Sequence, residues 1–160
     1  MKKIIYLLLF AALAVSGYAQ QGDASAGLKF GYAFEFETAV FGVDFRYNIM
    51  PDIRIAPSIT HMFKGKGVSG WYIDFDGHYV IDLANDFSFY PIGGIALSIW
   101  DVGEKGRHTR LGPNIGLGGE YRVIDDLSIG MDFKYNITGG DFHQAILGVR
   151  FAYQIQHHKR

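Results

Sequence analysis

The chain has 160 residues and almost balanced charge, with 15 Lys and Arg against 16 Asp and Glu. This balance excludes a generally basic nucleic-acid-binding surface, and the length suits one domain better than several. The absence of cysteine excludes a disulfide framework and a lipoprotein anchor. The 21 glycines, the 4 prolines and the 16% of aromatic residues are typical of an all-β chain with tight turns.

The N-terminus has the features of a secretory signal peptide. Two lysines precede an apolar stretch at residues 4–15, and a small-residue cleavage site follows at 17–19. About 12 apolar residues are too few to span a bilayer, and no later stretch approaches the length of a membrane helix. We predict a signal peptide over residues 1–19, with an uncleaved N-terminal anchor as the alternative, and a single domain over residues 20–160.

The rest of the chain consists of segments in which every second residue is apolar or aromatic. Such alternation is typical of strands whose two faces meet different surroundings. The segments are evenly spaced, with turn signals and no helical pattern between them, which favours antiparallel hairpins. The predicted strands are residues 24–36, 38–49, 53–64, 69–82, 87–100, 108–123, 127–138 and 142–155.

The two faces of these strands differ in chemistry. Within the strand cores, one face is apolar or aromatic and has no Asp, Glu, Lys or Arg. The opposite face combines many glycines with seven basic and six acidic residues. These charged residues are Lys29, Glu35, Asp44, Arg46, Arg54, Asp74, Asp76, Arg110, Glu120, Arg122, Asp132, Lys134 and Arg150.

Two kinds of barrel fit this pattern. A soluble periplasmic ligand-binding barrel turns the apolar face inward, whereas a transmembrane barrel turns it towards lipid. Glycines and near-equal charges on the polar face favour the second, because a narrow lumen needs small residues and paired charges. Aromatic residues near both strand ends match two interfacial girdles. We therefore predict an all-β, eight-stranded antiparallel up-and-down transmembrane β-barrel, and a monomer, since a closed barrel has no unpaired edge.

The last strand, AILGVRFAYQI, carries Phe151 and Tyr153 close to the C-terminus. With its signal peptide and eight alternating strands, the chain resembles the small OmpA/OmpX-like outer-membrane barrels of the porin family in Gram-negative bacteria. The resemblance implies a bacterial outer-membrane location, periplasmic termini, contact with outer-membrane lipids and assembly by the barrel-assembly machinery. One departure is the tail at residues 156–160, since family members often stop at the terminal aromatic residue.

The charged face is expected to line the lumen, where it allows two interpretations. It forms either a self-paired plug or a selectivity lining, and an eight-stranded interior is only just wide enough for side chains. We favour a plugged barrel that serves envelope structure or surface interaction. The alternative is a narrow porin-like channel for small solutes or ions.

Four basic residues lie in predicted extracellular loops and offer charge for the phosphates of lipopolysaccharide: Lys64, Lys66, Lys105 and Arg107. The alternative is that they are solvated loop tips. A lipid A-modifying enzyme would pair a rim histidine with serine and an acid, but neither His108 nor His143 has a serine in that pattern. No catalytic residue, metal site or cofactor is therefore predicted.

Three prolines fall inside predicted strands, where proline removes a ladder donor. They are Pro57, Pro91 and Pro113. We expect them towards strand ends, at bulges.

Overall fold

The computed structural model describes residues 21–140 and 142–156, so the predicted signal peptide lies outside the described residues. Alternating apolar and polar residues form strands throughout, joined by short connections and one 3-10 turn at Gly103–Lys105. The strands are β1 (Ala24–Ala33), β2 (Thr38–Asn48), β3 (Ile53–Gly65), β4 (Val68–Tyr79), β5 (Ile81–Ala84), β6 (Phe87–Asp101), β7 (Arg107–Ile124), β8 (Leu127–Asn136) and β9 (Gln144–Gln156).

The sheet closes on itself. Its strand order is β4-β3-β2-β1-β9-β8-β7-β6-β5, and β4 also pairs with β6. Strands β4 and β5 share one register against β6, as the pairs His78↔Ile92 and Ile81↔Phe89 show. They are therefore one barrel strand interrupted at Val80, and the predicted eight-stranded antiparallel barrel is confirmed.

The up-and-down order gives the barrel two distinct ends. Both Ala24 and Gln156 lie at one end, where they pair with each other, and the turns before β3, β6 and β8 share that end. We call it the terminal end. The connections that precede β2, β4, β7 and β9 lie at the opposite end, which we call the loop end.

The apolar face of the barrel points outward, as predicted. Phe75 is 54% exposed and Leu111 is 67% exposed, whereas Asp44, Arg46 and Arg150 are buried inside. A soluble barrel with an apolar interior would show the reverse, so that alternative is wrong. No helix of the described segments has the length and apolar character needed to cross a membrane.

The prolines lie within the strands, and the expectation of strand ends and bulges is wrong. Pro57 pairs with Phe75 of β4, and Pro91 pairs with Leu117 of β7. Pro57 interrupts the ladder between β2 and β3. Pro91 interrupts the ladder between β6 and the strand made of β4 and β5. Both ladders resume in the same register beyond the proline. Pro113 faces the end of β8 and accepts a hydrogen bond from Ile137 N at 2.9 Å. In an antiparallel strand each residue donates to one neighbour only, so a proline interrupts a single ladder.

Candidate functional site

A network of arginines fills the lumen on the side of the terminal end. Arg46 reaches it from β2, where the inward parity turns its side chain away from lipid. Its Nε lies 3.0 Å from Asp44 Oδ2, and its Nη1 donates to Glu120 Oε2 at 3.1 Å and to Tyr90 OH at 3.0 Å. Its Nη2 lies 3.5 Å from Asp132 Oδ2. One guanidinium group thus joins strands β2, β6, β7 and β8 across the barrel.

Arg150 of β9 holds the same carboxylates from the other side. Its Nε lies 2.8 Å from both oxygens of Asp44, and its Nη1 donates to Glu120 Oε2 at 2.9 Å. Glu120 also faces Arg54, at 3.5 Å between Nη1 and Oε1. Lys29 Nζ lies 3.2 Å from Asp132 Oδ2. We call Lys29, Asp44, Arg46, Arg54, Glu120, Asp132 and Arg150 the arginine network.

A second cluster lies further towards the loop end. Lys134 Nζ donates to Asp74 Oδ2, and to Asp76 Oδ2 at 2.8 Å. We call these three residues the lysine trio. The network holds four cations and three carboxylates, and the trio holds one cation and two carboxylates. The two clusters therefore balance together, and each buried ion has a partner, while the trio taken alone retains one negative charge.

Inner-face glycines make room for these side chains. A Cβ at Gly27 would lie 2.5 Å from Asp44 Oδ1, and a Cβ at Gly118 would lie 2.6 Å from Cζ of Tyr90. The Tyr90 ring in turn stacks on His78, with 4.8 Å between centroids and 9° between planes. Small residues on this face are thus what allows large ones to cross the lumen.

An apolar cluster closes the lumen at the loop end, and the sequence analysis did not predict it. Trp100 lies at its centre, fully buried, with ring centroids 5.1 Å from Phe36, 5.3 Å from Tyr72 and 5.3 Å from Phe142. The sequence signal was that all seven buried members are apolar or aromatic residues on the polar parity of their strands. We call the cluster the apolar cap, and its buried members are Ala33, Val40, Met62, Val68, Tyr72, Trp100 and Ile146.

Ten of the thirteen predicted lumen residues belong to the arginine network or the lysine trio, and three do not. The Glu35 carboxylate is exposed beside β9 and accepts a hydrogen bond from Ala145 N at 2.7 Å. Arg110 is exposed at the loop end, with its guanidinium 5.7 Å from the Phe142 ring centroid. Arg122 is exposed at the terminal end. Glu35 lies in the connection after β1, and Arg110 and Arg122 lie near the two ends of β7, so all three are beyond the enclosed part of the barrel.

Arg122 lines a polar mouth at the terminal end, together with Arg54, Glu120 and several aspartates of the turns. The mouth has a volume of about 40 Å³, room for only a few water molecules. The mouth leads to the arginine network, so a solute that enters from this end meets Glu120 and its guanidinium partners.

The four loop residues suggested for lipopolysaccharide contact are exposed at the loop end: Lys64, Lys66, Lys105 and Arg107. Lys66 Nζ lies 2.9 Å from Glu37 Oε1 and donates to the Glu35 carbonyl oxygen at 3.1 Å. The charge of Lys66 is therefore partly neutralised within the protein. The other three side chains are exposed to the surroundings.

Within residues 21–140 and 142–156, no group of three or more His, Cys, Asp and Glu side chains could hold a metal ion. The rim histidines contact aromatic rings instead. His108 lies 6.0 Å from Phe142 and His143 lies 6.4 Å from Tyr135, measured between ring centroids.

Known proteins share this architecture. The sequence profile described as "Outer membrane protein beta-barrel domain" matches residues 6–154, and no curated protein matches the sequence. The N-terminal β-barrel domain of OprF from Pseudomonas aeruginosa superposes with a TM-score of 0.72 at 16% identity, covering 84% of this chain and 98% of that one. Neisserial surface protein A gives 0.67 at 16% identity, covering 83% and 95%.

The attachment invasion locus protein Ail of Yersinia pestis, solved with the heparin analogue sucrose octasulfate, gives a TM-score of 0.59 at 14% identity. That match covers 84% of this chain and 99% of Ail. At such identities the likeness concerns the fold, whereas the family profile spans most of the sequence. The chain therefore belongs to the outer-membrane β-barrel domain family, as an eight-stranded barrel of the bacterial outer membrane.

Proposed function

We propose that the protein is a non-enzymatic barrel with a closed lumen, which serves envelope structure or surface interaction. The observation that carries the proposal is that two barriers follow one another along the lumen. The arginine network lies towards the terminal end, and the apolar cap lies at the loop end.

The two barriers oppose permeation for different physical reasons. A hydrated ion entering from the terminal end would have to displace guanidinium groups that already share the carboxylates of Asp44 and Glu120. Breaking one buried ion pair costs about 3–5 kcal/mol. Beyond the lysine trio, the ion would lose its water against Trp100 and its largely apolar neighbours.

A narrow channel for small solutes or ions is the second candidate. Charged and polar side chains line the lumen from the mouth at the terminal end to the lysine trio, which is the lining such a channel needs. The apolar cap opposes this reading, because a channel would require Trp100 and the loops that contact it to move aside.

Surface interaction would involve the lipids around the barrel and the exposed loop end. Acyl chains are the natural surroundings of the outward apolar side chains. Lys64, Lys105 and Arg107 are exposed at the rim and offer charge to lipopolysaccharide phosphates. We expect a monomer folded by the barrel-assembly machinery, since every barrel strand already has two partners.

Swelling of proteoliposomes tests the closed lumen. Liposomes that contain the purified barrel should not swell in glycine or arabinose, while liposomes with a general porin do. In parallel, cells without the protein should become sensitive to detergent and recover with the wild-type gene. Porin-like swelling, or a growth defect confined to low concentrations of a small solute, would instead support the channel.

A further inference from the structure

Four polar side chains line one part of the lumen between the arginine network and the apolar cap. Asp76 of β4 pairs in register with Gly94 of β6, Gly94 pairs with Asn114 of β7, and Asn114 pairs with Asn136 of β8. Asp74 lies two residues from Asp76 on the same inner face. We call Asp74, Asp76, Asn114 and Asn136 the amide–carboxylate site.

The position of this site follows from the order of residues along two strands. On β4, Tyr72 of the apolar cap lies on the loop side of Asp74, and His78 lies on the terminal side of Asp76. On β8, Lys134 and then Asn136 follow Asp132 of the arginine network towards the loop end. The site is thus enclosed on both sides.

The four side chains are buried, yet several of their polar atoms have no partner in the protein. Asn114 is 1% exposed and Asn136 is 0% exposed, and both the oxygen and the nitrogen of each amide lack a hydrogen bond. The Oδ1 atoms of Asp74 and Asp76 are also without a partner. Buried polar atoms are almost always hydrogen-bonded, so these atoms call for partners that the protein itself does not supply.

A glycine keeps the space beside one of these oxygens open. A Cβ at Gly94 would lie 2.5 Å from Asp76 Oδ1. The unpartnered oxygen therefore lies directly over Gly94, on the side of Asn114, which is the next strand in register. Any side chain at this position would occupy the approach to that oxygen.

The charge and the donor atoms indicate what the site would bind. Lys134 neutralises one of the two carboxylates, so the lysine trio retains one negative charge. The unpartnered carboxylate and amide oxygens are hard ligands of the kind that hold alkali cations. This single negative charge is local to the trio, because the excess cation of the arginine network lies among Asp44, Glu120 and Asp132. It suits a monovalent ion, whereas a divalent ion would bring more positive charge into a buried site.

We propose that the amide–carboxylate site binds one small monovalent cation, sodium or potassium, with water completing its coordination. This inference goes beyond the proposed function, because a barrel could be closed with or without the ion. Since the site is enclosed, the cation should enter during folding and contribute to the stability of the folded barrel.

The test compares unfolding of the full barrel after refolding in different salts. The protein is refolded into micelles in sodium, potassium or N-methyl-D-glucamine chloride at one ionic strength, and loss of the folded band on unboiled gels is followed with temperature. The unfolding midpoint should be higher in sodium or potassium, by on the order of 5 °C, and should saturate with cation concentration. N-methyl-D-glucamine is too large to enter the site.

Isosteric variants assign the effect to these residues. Asp76→Asn and Asp74→Asn each remove the local negative charge of the lysine trio and should abolish the difference between salts. Asp125→Asn makes the same chemical change at an exposed turn and should retain the difference. Equal midpoints in all three salts for the wild type would overturn the proposal and indicate that the site holds water only. A difference that persists in both lumen variants would also overturn it.

Discussion

Glu120 is the residue on which the arginine network most depends, because Arg46, Arg54 and Arg150 all direct a guanidinium nitrogen at its carboxylate. Glu120→Gln removes that charge and leaves three buried cations competing for Asp44 and Asp132. We expect the free energy of unfolding to fall by about 3–5 kcal/mol, measured by urea titration in micelles. Glu104→Gln, at an exposed loop position, is the control. A loss below about 0.5 kcal/mol would show that the network adds little to stability.

Alanine substitutions at Gly118, on the inner face, and at Gly93, on the outer face, test how tightly the lumen is filled. A Cβ at Gly118 would lie 2.6 Å from Tyr90 Cζ, and hydrogen bonding to Arg46 fixes that ring. A Cβ at Gly93, on the outer face, would meet nothing within 4 Å. Gly118→Ala should cost about 1–3 kcal/mol of unfolding free energy, whereas Gly93→Ala should be neutral or stabilising. Equal effects in the two urea titrations would contradict a tightly filled lumen.

Ten of the thirteen charged residues on the polar parity lie in the two lumen clusters, but parity does not show which of them pair. Asp44 and Arg46, two residues apart on β2, do form an ion pair. Lys134, however, reaches across the barrel to β4 instead of pairing with Asp132 beside it on β8. Which residues face each other across a lumen depends on the stagger between strands, and a single sequence does not state that stagger.

Among the larger elements, the apolar cap combines the loop ends of several strands with Phe36 and Phe142 of the connections. Trp100→Ala removes its central side chain and leaves a cavity among Tyr72 and the two phenylalanines. We expect a loss of about 3–5 kcal/mol in unfolding free energy. Trp71→Ala, at the half-exposed outer face, is the matched control and should cost clearly less. Similar losses would show that the cap is loosely packed.

The strands were predictable to within a few residues because alternation reports directly on which surroundings each face meets. The positions of the prolines inside the strands were not predictable, since alternation does not show which neighbouring strand each backbone N–H donates to. Pro91 shows the consequence: it lies inside β6, and the pairing of β6 with the preceding barrel strand is interrupted at Val80 opposite it. The apolar cap was not predictable either, because alternation within single strands does not show that apolar residues of different strands meet at one end of the lumen.

For the molecule as a whole, its two tryptophans report on the inside-out arrangement. Trp71 is 49% exposed on the outer face, and Trp100 is fully buried in the lumen. In liposomes of brominated lipid, Trp100→Phe, which retains Trp71, should lose much of its fluorescence. Trp71→Phe, which retains Trp100, should be quenched little, because the barrel wall separates the ring from the acyl chains. Strong quenching of Trp100 alone would contradict the assignment of faces.

Single-channel recording in planar bilayers tests the closed lumen most directly. The arginine network and the apolar cap lie in series, so the purified wild-type barrel should insert without producing conductance steps, beside a general porin that conducts in the same bilayers. Reproducible steps from independent wild-type preparations, altered in size by Glu120→Gln, would place the current in the lumen. That result would contradict the closed barrel and favour the narrow channel.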